Sequence, residues 1–300
     1  MKTLIVVVLS VALAGLAFAG NTATANQNGQ NNVATITQTG NNSATVNQTG
    51  SNHIAEVTQD GSNTATVDQV KTDYTYYTSA TNAKVTQKGT NNIADVDQFK
   101  GAYGGNANFS KAIVDQDGAD NLATIKQNVN DHADAAITQK GNSNEALIEQ
   151  ISNTSWATIH QEGTDNYGKQ YLWTVNSYAD IKQIGDRNEA TQTTLTPPVK
   201  LSKFYAEQIG DDNKATQTIK GSAWGYANGN NQELLYQTGD FNVGTQVHEG
   251  VGGVGADFNL STITQTGDLN TATTTQLGDH HTATVTQIGN SNNATVFQSN

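Results

Sequence analysis

The chain has 300 residues and no cysteine, with two prolines and one methionine. Without a thiol there is no disulfide frame, no thiolate nucleophile and no cysteine metal site. Basic residues are few, 15 against 27 acids, and neither sign gathers into a long block. That argues against a nucleic-acid partner, which needs a basic stripe facing the phosphates. Hydrophobic residues make up 35% and mean hydropathy is -0.53, a thin supply for a globular core. Such a composition permits disorder, and what argues against it is the regular placement of the polar residues.

Only the first segment is strongly apolar. MKTLIVVVLSVALAGLAFAG has Lys2, an apolar stretch from Leu4 to Leu16, and small residues at Ala17 and Ala19. This reads as a secretory signal peptide over residues 1–19, cleaved after Ala19. The remainder has no comparable run, so the processed chain is expected outside the cytoplasm without stable membrane insertion.

Beyond that segment the chain repeats itself. Gln38, Gln48, Gln59 and Gln69 are ten, eleven and ten residues apart, and Gln265, Gln276, Gln287 and Gln298 are eleven apart. Within a repeat the recurring letters lie two apart, as in Asn32, Ala34, Ile36, Gln38 and Asn292, Ala294, Val296, Gln298. A period of two puts these four on one face of a strand and Thr35 and Thr37 on the other. The inward first position is held by Asn21, Asn32, Asn42, Asn63, Asn92, Asn121, Asn144, Asn188, Asn213, Asn242, Asn270 and Asn292. The inward last position is held by Gln27, Gln38, Gln48, Gln59, Gln69, Gln87, Gln98, Gln116, Gln127, Gln139, Gln150, Gln161, Gln183, Gln208, Gln237, Gln265, Gln276, Gln287 and Gln298. Serine replaces the first asparagine in the repeats starting at Ser110, Ser155, Ser177 and Ser202.

After most glutamines comes x-Gly, at Gly29, Gly40, Gly50, Gly61, Gly89, Gly118, Gly141, Gly163, Gly185, Gly210, Gly239, Gly267, Gly278 and Gly289. These are turn positions, where close approach or positive φ suits glycine. We count 22 such strand-turn units. None stands alone. Burying one alanine and one valine contributes about 2–3 kcal/mol, whereas ordering about eleven residues costs at least ~1 kcal/mol each. Stacked neighbours must supply the difference, which is the logic of a solenoid.

The exceptions set the number of strands per coil. Gln192, Gln217 and Gln246 stand where valine is usual, in every second unit, and Thr274 extends the series. In a coil of two strands these amides fall on one another; three strands scatter them. The expected fold is therefore an all-β, two-sided β-solenoid of cross-β type, with two short strands per coil and about eleven coils in a single domain. Insertions fall near 70–80, 99–109, 162–176, 195–201, 220–230 and 249–258, with a slight lengthening at 128–132. The last four are expected on one edge, and 70–80 and 99–109 on the opposite edge.

The regular pattern starts at Asn21 and runs to Gln298, so uncapped strands are expected at both extremes. Unpaired N–H and C=O groups there invite head-to-tail addition of further copies, a non-closing contact. The pattern Asn-x-Ala-x-Val-x-Gln-x-Gly, seen in residues 42–50 and as Asn-x-Ala-x-Ile-x-Gln-x-Gly in 32–40, resembles the curlin repeat of bacterial curli amyloid subunits. The resemblance covers nearly all of the chain after residue 20. It implies an extracellular functional amyloid of the biofilm matrix, a cell-surface fibre with a role in adhesion. It also implies export unfolded through dedicated outer-membrane machinery with accessory chaperones, and a nucleator partner. Carried over by position, Asn42, Gln48, Asn63 and Gln69 support assembly. The chain resembles a major subunit, with a longer array than the short family members.

Other features are weighed against this. Outward threonine pairs, Thr35 with Thr37, Thr273 with Thr275 and Thr284 with Thr286, are similar to ice-binding arrays. The alternative they raise is a monomeric binding solenoid, ice-binding or adhesin-like; the simpler account is β-propensity on a wet face. Glu56, Asp68, Lys84, Asp95 and Asp97 interrupt the array, and Asp95 and Asp97 suit a gatekeeping role. His53 and His281 sit at inward first positions, while His280 points the other way, so no metal pair is expected. Tyr74, Tyr76, Tyr77, Tyr103, Trp173, Tyr178, Trp224 and Tyr226 fall in or beside insertions, as do Pro197 and Pro198. No enzyme is expected, because acids spread over an outer surface make no pocket with a tuned acid and base. No cofactor is expected either.

Overall fold

A computed structural model describes residues 8–9, 20–70, 81–100, 110–129, 132–151, 154–195, 199–220, 230–250 and 258–300. Most of the leader therefore lies outside the described residues, as do the insertion cores around Tyr74, Tyr76, Tyr77, Tyr103, Trp224 and Tyr226, and Pro197 and Pro198. Among the described residues every regular element is a β-strand. The chain divides into two compact units, Met1–Glu149 and Gln150–Asn300.

In the first unit Thr22–Gln30 pairs in parallel with Ser43–Ser51, while Val33–Gly40 pairs with the opening half of Ile54–Val70. Ser43–Ser51 then pairs with the closing half of the same long strand. Ile54–Val70 and Asn82–Lys100 each hold two passes in register, with a break between Ser62 and Thr64. The rule continues through Lys111–Ala119, Leu122–Val129 and Asp134–Asn142. Each pass lies on the pass two further along, and glutamine meets glutamine each time.

The second unit follows the same rule in two parallel series. Trp156–Thr164, Tyr178–Ile184, Lys203–Ile209, Gln232–Thr238, Leu260–Thr266 and Thr282–Ile288 form one. Tyr167–Leu172, Glu189–Leu195, Lys214–Lys220, Val243–Glu249, Thr271–Leu277 and Asn293–Ser299 form the other. Thr174–Val175 also pairs with Val199–Lys200 in a separate two-stranded sheet.

Alternation explains these strands. In Trp156–Thr164 the side chains of Ala157, Ile159 and Gln161 are buried while Thr158 and His160 are half-buried. β-Branched and small residues suit a pleated surface with one dry face, and a helix would spread them round its circumference.

This topology corrects one expectation and its consequence. Residues 162–176 are not an insertion: they contain the strand Tyr167–Leu172, whose inward residues are Asn166, Gly168, Gln170 and Leu172. The array thus has one more repeat than the pattern search gave, and the alternation of all earlier repeats shifts by one. Insertions 70–80 and 99–109 in the first unit follow passes of the series begun by Thr22–Gln30, and not an opposite series. In the second unit, 195–201, 220–230 and 249–258 all follow passes of the series begun by Tyr167–Leu172. Glycine turns serve most of the other connections. At Gly118, with φ 137°, an added Cβ would lie 1.9 Å from the carbonyl oxygen of Gly141, so the stacked turns leave no room for a side chain.

Candidate self-assembly surface

The inward glutamines form continuous amide ladders. In the first unit Gln38 Nε2 donates to Gln59 Oε1 at 2.9 Å, Gln59 to Gln87 at 2.7 Å and Gln87 to Gln116 at 2.8 Å. The companion ladder runs Gln27, Gln48, Gln69, Gln98, Gln127, with spacings of 2.7 to 2.9 Å. In the second unit Gln161, Gln183, Gln208, Gln237, Gln265 and Gln287 are joined the same way, each step 2.9 Å. The other N–H of the amide reaches a backbone carbonyl across the interior, as from Gln48 to Val33 at 2.9 Å. Most of the lone pairs and protons that burial removes from water are thereby replaced, with Gln38 Oε1, Gln170 Oε1 and Gln276 Oε1 among the exceptions.

The unusual glutamines also meet. Gln170 donates to Gln192 at 2.9 Å, Gln192 to Gln217 at 2.8 Å and Gln217 to Gln246 at 2.7 Å. Thr274 closes that column against Ser261, hydroxyl to hydroxyl.

Asparagines make a ladder of their own. Asn63 sends its backbone N–H and its Nδ2 to Asn42 Oδ1, at 2.9 and 3.3 Å, and Asn92 does the same to Asn63 at 3.2 and 3.0 Å. The second unit repeats it through Asn188, Asn213, Asn242, Asn270 and Asn292. His53 takes one asparagine position, with Nδ1 2.7 Å from Thr81 Oγ1 and its backbone N–H on Asn32 Oδ1. His281 takes another, its Nε2 2.9 Å from the Leu277 carbonyl. Among the described residues no three histidines, cysteines or acids gather as a metal site would require.

Sequence reasoning missed Asn166, Gln170, Asn231, Asn259 and Glu233, all buried and inward. Asn-x-Gly-x-Gln at residues 166–170 has the spacing of Asn188-x-Ala-x-Gln192, and that signal was present. Glu233 has none, since a carboxylate at an alanine position reads as an outward residue.

What distinguishes a surface able to act is where the ladders stop. Val46 and Val67 are 0% exposed, whereas Val296, on the outermost strand Asn293–Ser299, is half-buried. Ala23, Ala25 and Gln27 on Thr22–Gln30 are likewise half-buried. At these two strands inward side chains and backbone groups have a neighbour on one side only. The turns nearest them, at Gly29, Gly40, Gly267, Gly278 and Gly289, carry no insertion.

Outside, the sheet faces are wet and charged. Asp68, Asp97 and Lys126 stack in one column, and burial together with Asp95 and Asp68 pushes the Asp97 carboxyl up to about 6. Arg187 holds Asp212 bidentately at 2.8 and 2.7 Å, which lowers the Asp212 carboxyl.

Comparison with known proteins agrees with this geometry. No curated protein matches the chain. The family model described as Curlin associated repeat matches at five places, residues 40–61, 131–163, 176–216, 255–289 and 270–299. The matches fall in both units and on the strands whose inward Asn and Gln columns build the ladders. The chain therefore carries an array of curlin repeats and is a member of the curlin family.

Proposed function

We propose that the chain is a secreted structural subunit that adds head to tail to copies of itself, forming an extracellular curli-like amyloid fibre for biofilm matrix and adhesion. The observation that carries this reading is the pair of insertion-free edges on a parallel ladder whose inward glutamines and asparagines bond from layer to layer. Each unit is then a two-sided solenoid with two strands to the coil, about eleven coils for the chain. Docked copies continue the coil spacing of ~4.8 Å, and the fibre is cross-β along its length. The scarcity of basic residues favours a major subunit over a nucleator. A nucleator partner and dedicated outer-membrane export remain part of the proposal by family membership.

The test is electron microscopy of the processed chain incubated alone at neutral pH. Concentration-dependent fibres, seeded by sonicated fragments, are expected. A species that stays monomeric at high concentration overturns the reading and favours the monomeric binding solenoid. Thermal hysteresis would then identify the threonine columns, such as Thr262 on Thr284 and Thr264 on Thr286, as the active face.

A further inference from the structure

The two amide ladders point in opposite directions. Each glutamine donates toward higher residue numbers, as from Gln265 to Gln287 at 2.9 Å and from Gln276 to Gln298 at 2.8 Å. The orientation is not interchangeable, because Nε2 also donates to a backbone carbonyl: Gln38 to Thr22 at 3.1 Å, Gln287 to Thr271 at 2.9 Å and Gln298 to Thr282 at 2.9 Å. Asparagines donate the other way, Asn42 to Asn21 and Asn292 to Asn270. One edge therefore presents glutamine acceptors and asparagine donors, and the other presents glutamine donors and asparagine acceptors. Gln38 Oε1, on the first edge, is buried without a hydrogen-bond partner. Two like edges brought together would oppose acceptor to acceptor; unlike edges satisfy both ladders.

The turns choose the register. Gln27-Asn28-Gly29-Gln30-Asn31-Asn32 and Gln287-Ile288-Gly289-Asn290-Ser291-Asn292 have the same length. They also share one backbone course, with φ 130° and 56° at Gly29 and Asn31, and 101° and 59° at Gly289 and Ser291. Stacked turns bond to each other, Gly289 N–H to the Thr266 carbonyl and Ser291 N–H to the Asp268 carbonyl, both at 2.9 Å. A Cβ at Gly267 would lie 2.5 Å from the Gly289 carbonyl oxygen, whereas at Gly289 it would meet only Asn292 Nδ2, at 3.8 Å. The layer that belongs above Gly289 is another glycine turn.

The opposite edge already receives a parallel strand. Val8 and Leu9 of the leader pair with Thr35 and Ile36. Cleavage after Ala19 vacates that place.

We propose that copies join in one direction only, with Thr22–Gln30 of one laid on Thr282–Ile288 of the next and its Val33–Gly40 laid on Asn293–Ser299. This rests on the self-assembly reading and adds polarity and register to it. Gln27 then receives Gln287, Gln38 receives Gln298, Gly29 covers Gly289, and Thr295 and Val296 take the places of Val8 and Leu9. The series that begins with Thr22–Gln30 thereby continues the series that ends with Thr282–Ile288, with no layer omitted.

Single cysteine variants of this cysteine-free chain test it. Processed Thr24→Cys chain is mixed with Thr284→Cys chain, allowed to assemble, oxidised, and run on a non-reducing gel after dissolution. In the proposed register the two positions are in-register neighbours at ~4.8 Å, within disulfide reach. A disulfide dimer is expected from this mixture. None is expected from Thr24→Cys with Thr295→Cys, nor from either variant alone. Dimer from the Thr295→Cys mixture overturns the register, and dimer from Thr24→Cys alone overturns the polarity. Fibres in the microscope with no dimer in any mixture overturn this inference while leaving self-assembly standing; absence of fibres removes both.

Discussion

The passes from Val33 to Gln150 and those from Tyr167 to Gln276 solve one packing problem with different residues. The earlier passes fill the interior almost uniformly with Ala then Val or Ile, as in Ala65 and Val67 or Ala123 and Ile125. The later ones bury Phe204, Leu235, Gln192, Glu233 and His248, yet keep the same parallel register and the same ladders. The reason is compensation in volume. Phe204 occupies an alanine column, and Ala206 next inward to it occupies the valine column. Gly244 stands where alanine is usual because a Cβ there would come within 2.5 Å of Leu235 Cδ1, and Gly168 does the same beside Ile159 at 2.9 Å. Register is set by backbone and amide ladders, while the apolar filling is free to vary at constant volume.

The sharpest way to break the likeness is to attack the backbone, which the two regions share. Gly118→Val, at a positive-φ turn with no space above it, is expected to cost about 3 kcal/mol or more, and a matched Gly210→Val as much, read from urea midpoints. Equal loss at both supports a common frame; a large difference means the turns are not equivalent. Packing comes next. Gly244→Ala is expected to cost about 2 kcal/mol and Leu235→Ala about 3 kcal/mol, with the double variant less destabilised than their sum. Additivity would mean that the two residues do not compensate one another. Replacing Gln87 with leucine orphans the donor of Gln59 and the acceptor of Gln116, at a cost of about 2 kcal/mol by the same denaturation assay.

Glu233 and His248 separate the regions by pH. Both are fully buried, Glu233 Oε1 is 3.7 Å from His248 Nδ1, beyond hydrogen-bond length, and neither carboxylate oxygen nor ring nitrogen has a hydrogen-bond partner. Distance alone suggests an ion pair. Desolvation outweighs it, raising the Glu233 carboxyl well above 4.5 and lowering the His248 imidazole to about 3, so the pair is buried neutral. The raised acid stabilises the fold below 4.5, and that contribution is lost as pH rises. The depressed imidazole stabilises it above 6.5, and that contribution is lost as pH falls toward about 3. Between 4.5 and 6.5 folded and unfolded chains hold the same single proton on the pair, so stability is greatest there. Above 6.5 it declines. Glu233→Gln is expected to remove that decline, measured as urea midpoint between pH 6 and 8; an unchanged slope would mean the pair does not govern it.

The smallest effect is on the outer face. Asp97, raised to about 6, stabilises less as pH rises from 3.8 through about 6, so Asp97→Asn is expected to be more stable than the parent at pH 7. The gain should be under ~1 kcal/mol because the group is partly exposed. A matched Asp212→Asn should lose stability slightly, since Asp212 is held below its ordinary range by Arg187.

Much of this was legible before any coordinates. Period-two spacing named the inward columns, and the recurrence of Gln192, Gln217 and Gln246 in alternate repeats placed them on one another. The repeat at Asn166 was illegible for a local reason. Its last position is Leu172, not glutamine, Gly168 replaces the alanine and Gln170 the valine, so three of the four recognition letters are gone. Losing that one repeat reversed the parity of everything before it and misplaced the earlier insertions. Glu233 was hidden because a charged residue in an alternating strand is assigned outward unless a partner across the interior is known.

The sequence by itself determined what repeats: strand period, ladder residues, glycine turns and the absence of any thiol. It did so because a strand's side-chain period is a property of the local backbone. Only the tertiary structure decided what faces what. Pairing across about twenty to thirty residues, compensation of Gly244 by Leu235, burial of Glu233 beside His248, and the opposite sense of the two amide ladders depend on groups distant in the chain. Hydrogen-bond direction and buried charge are set by those neighbours, and no local pattern carries them.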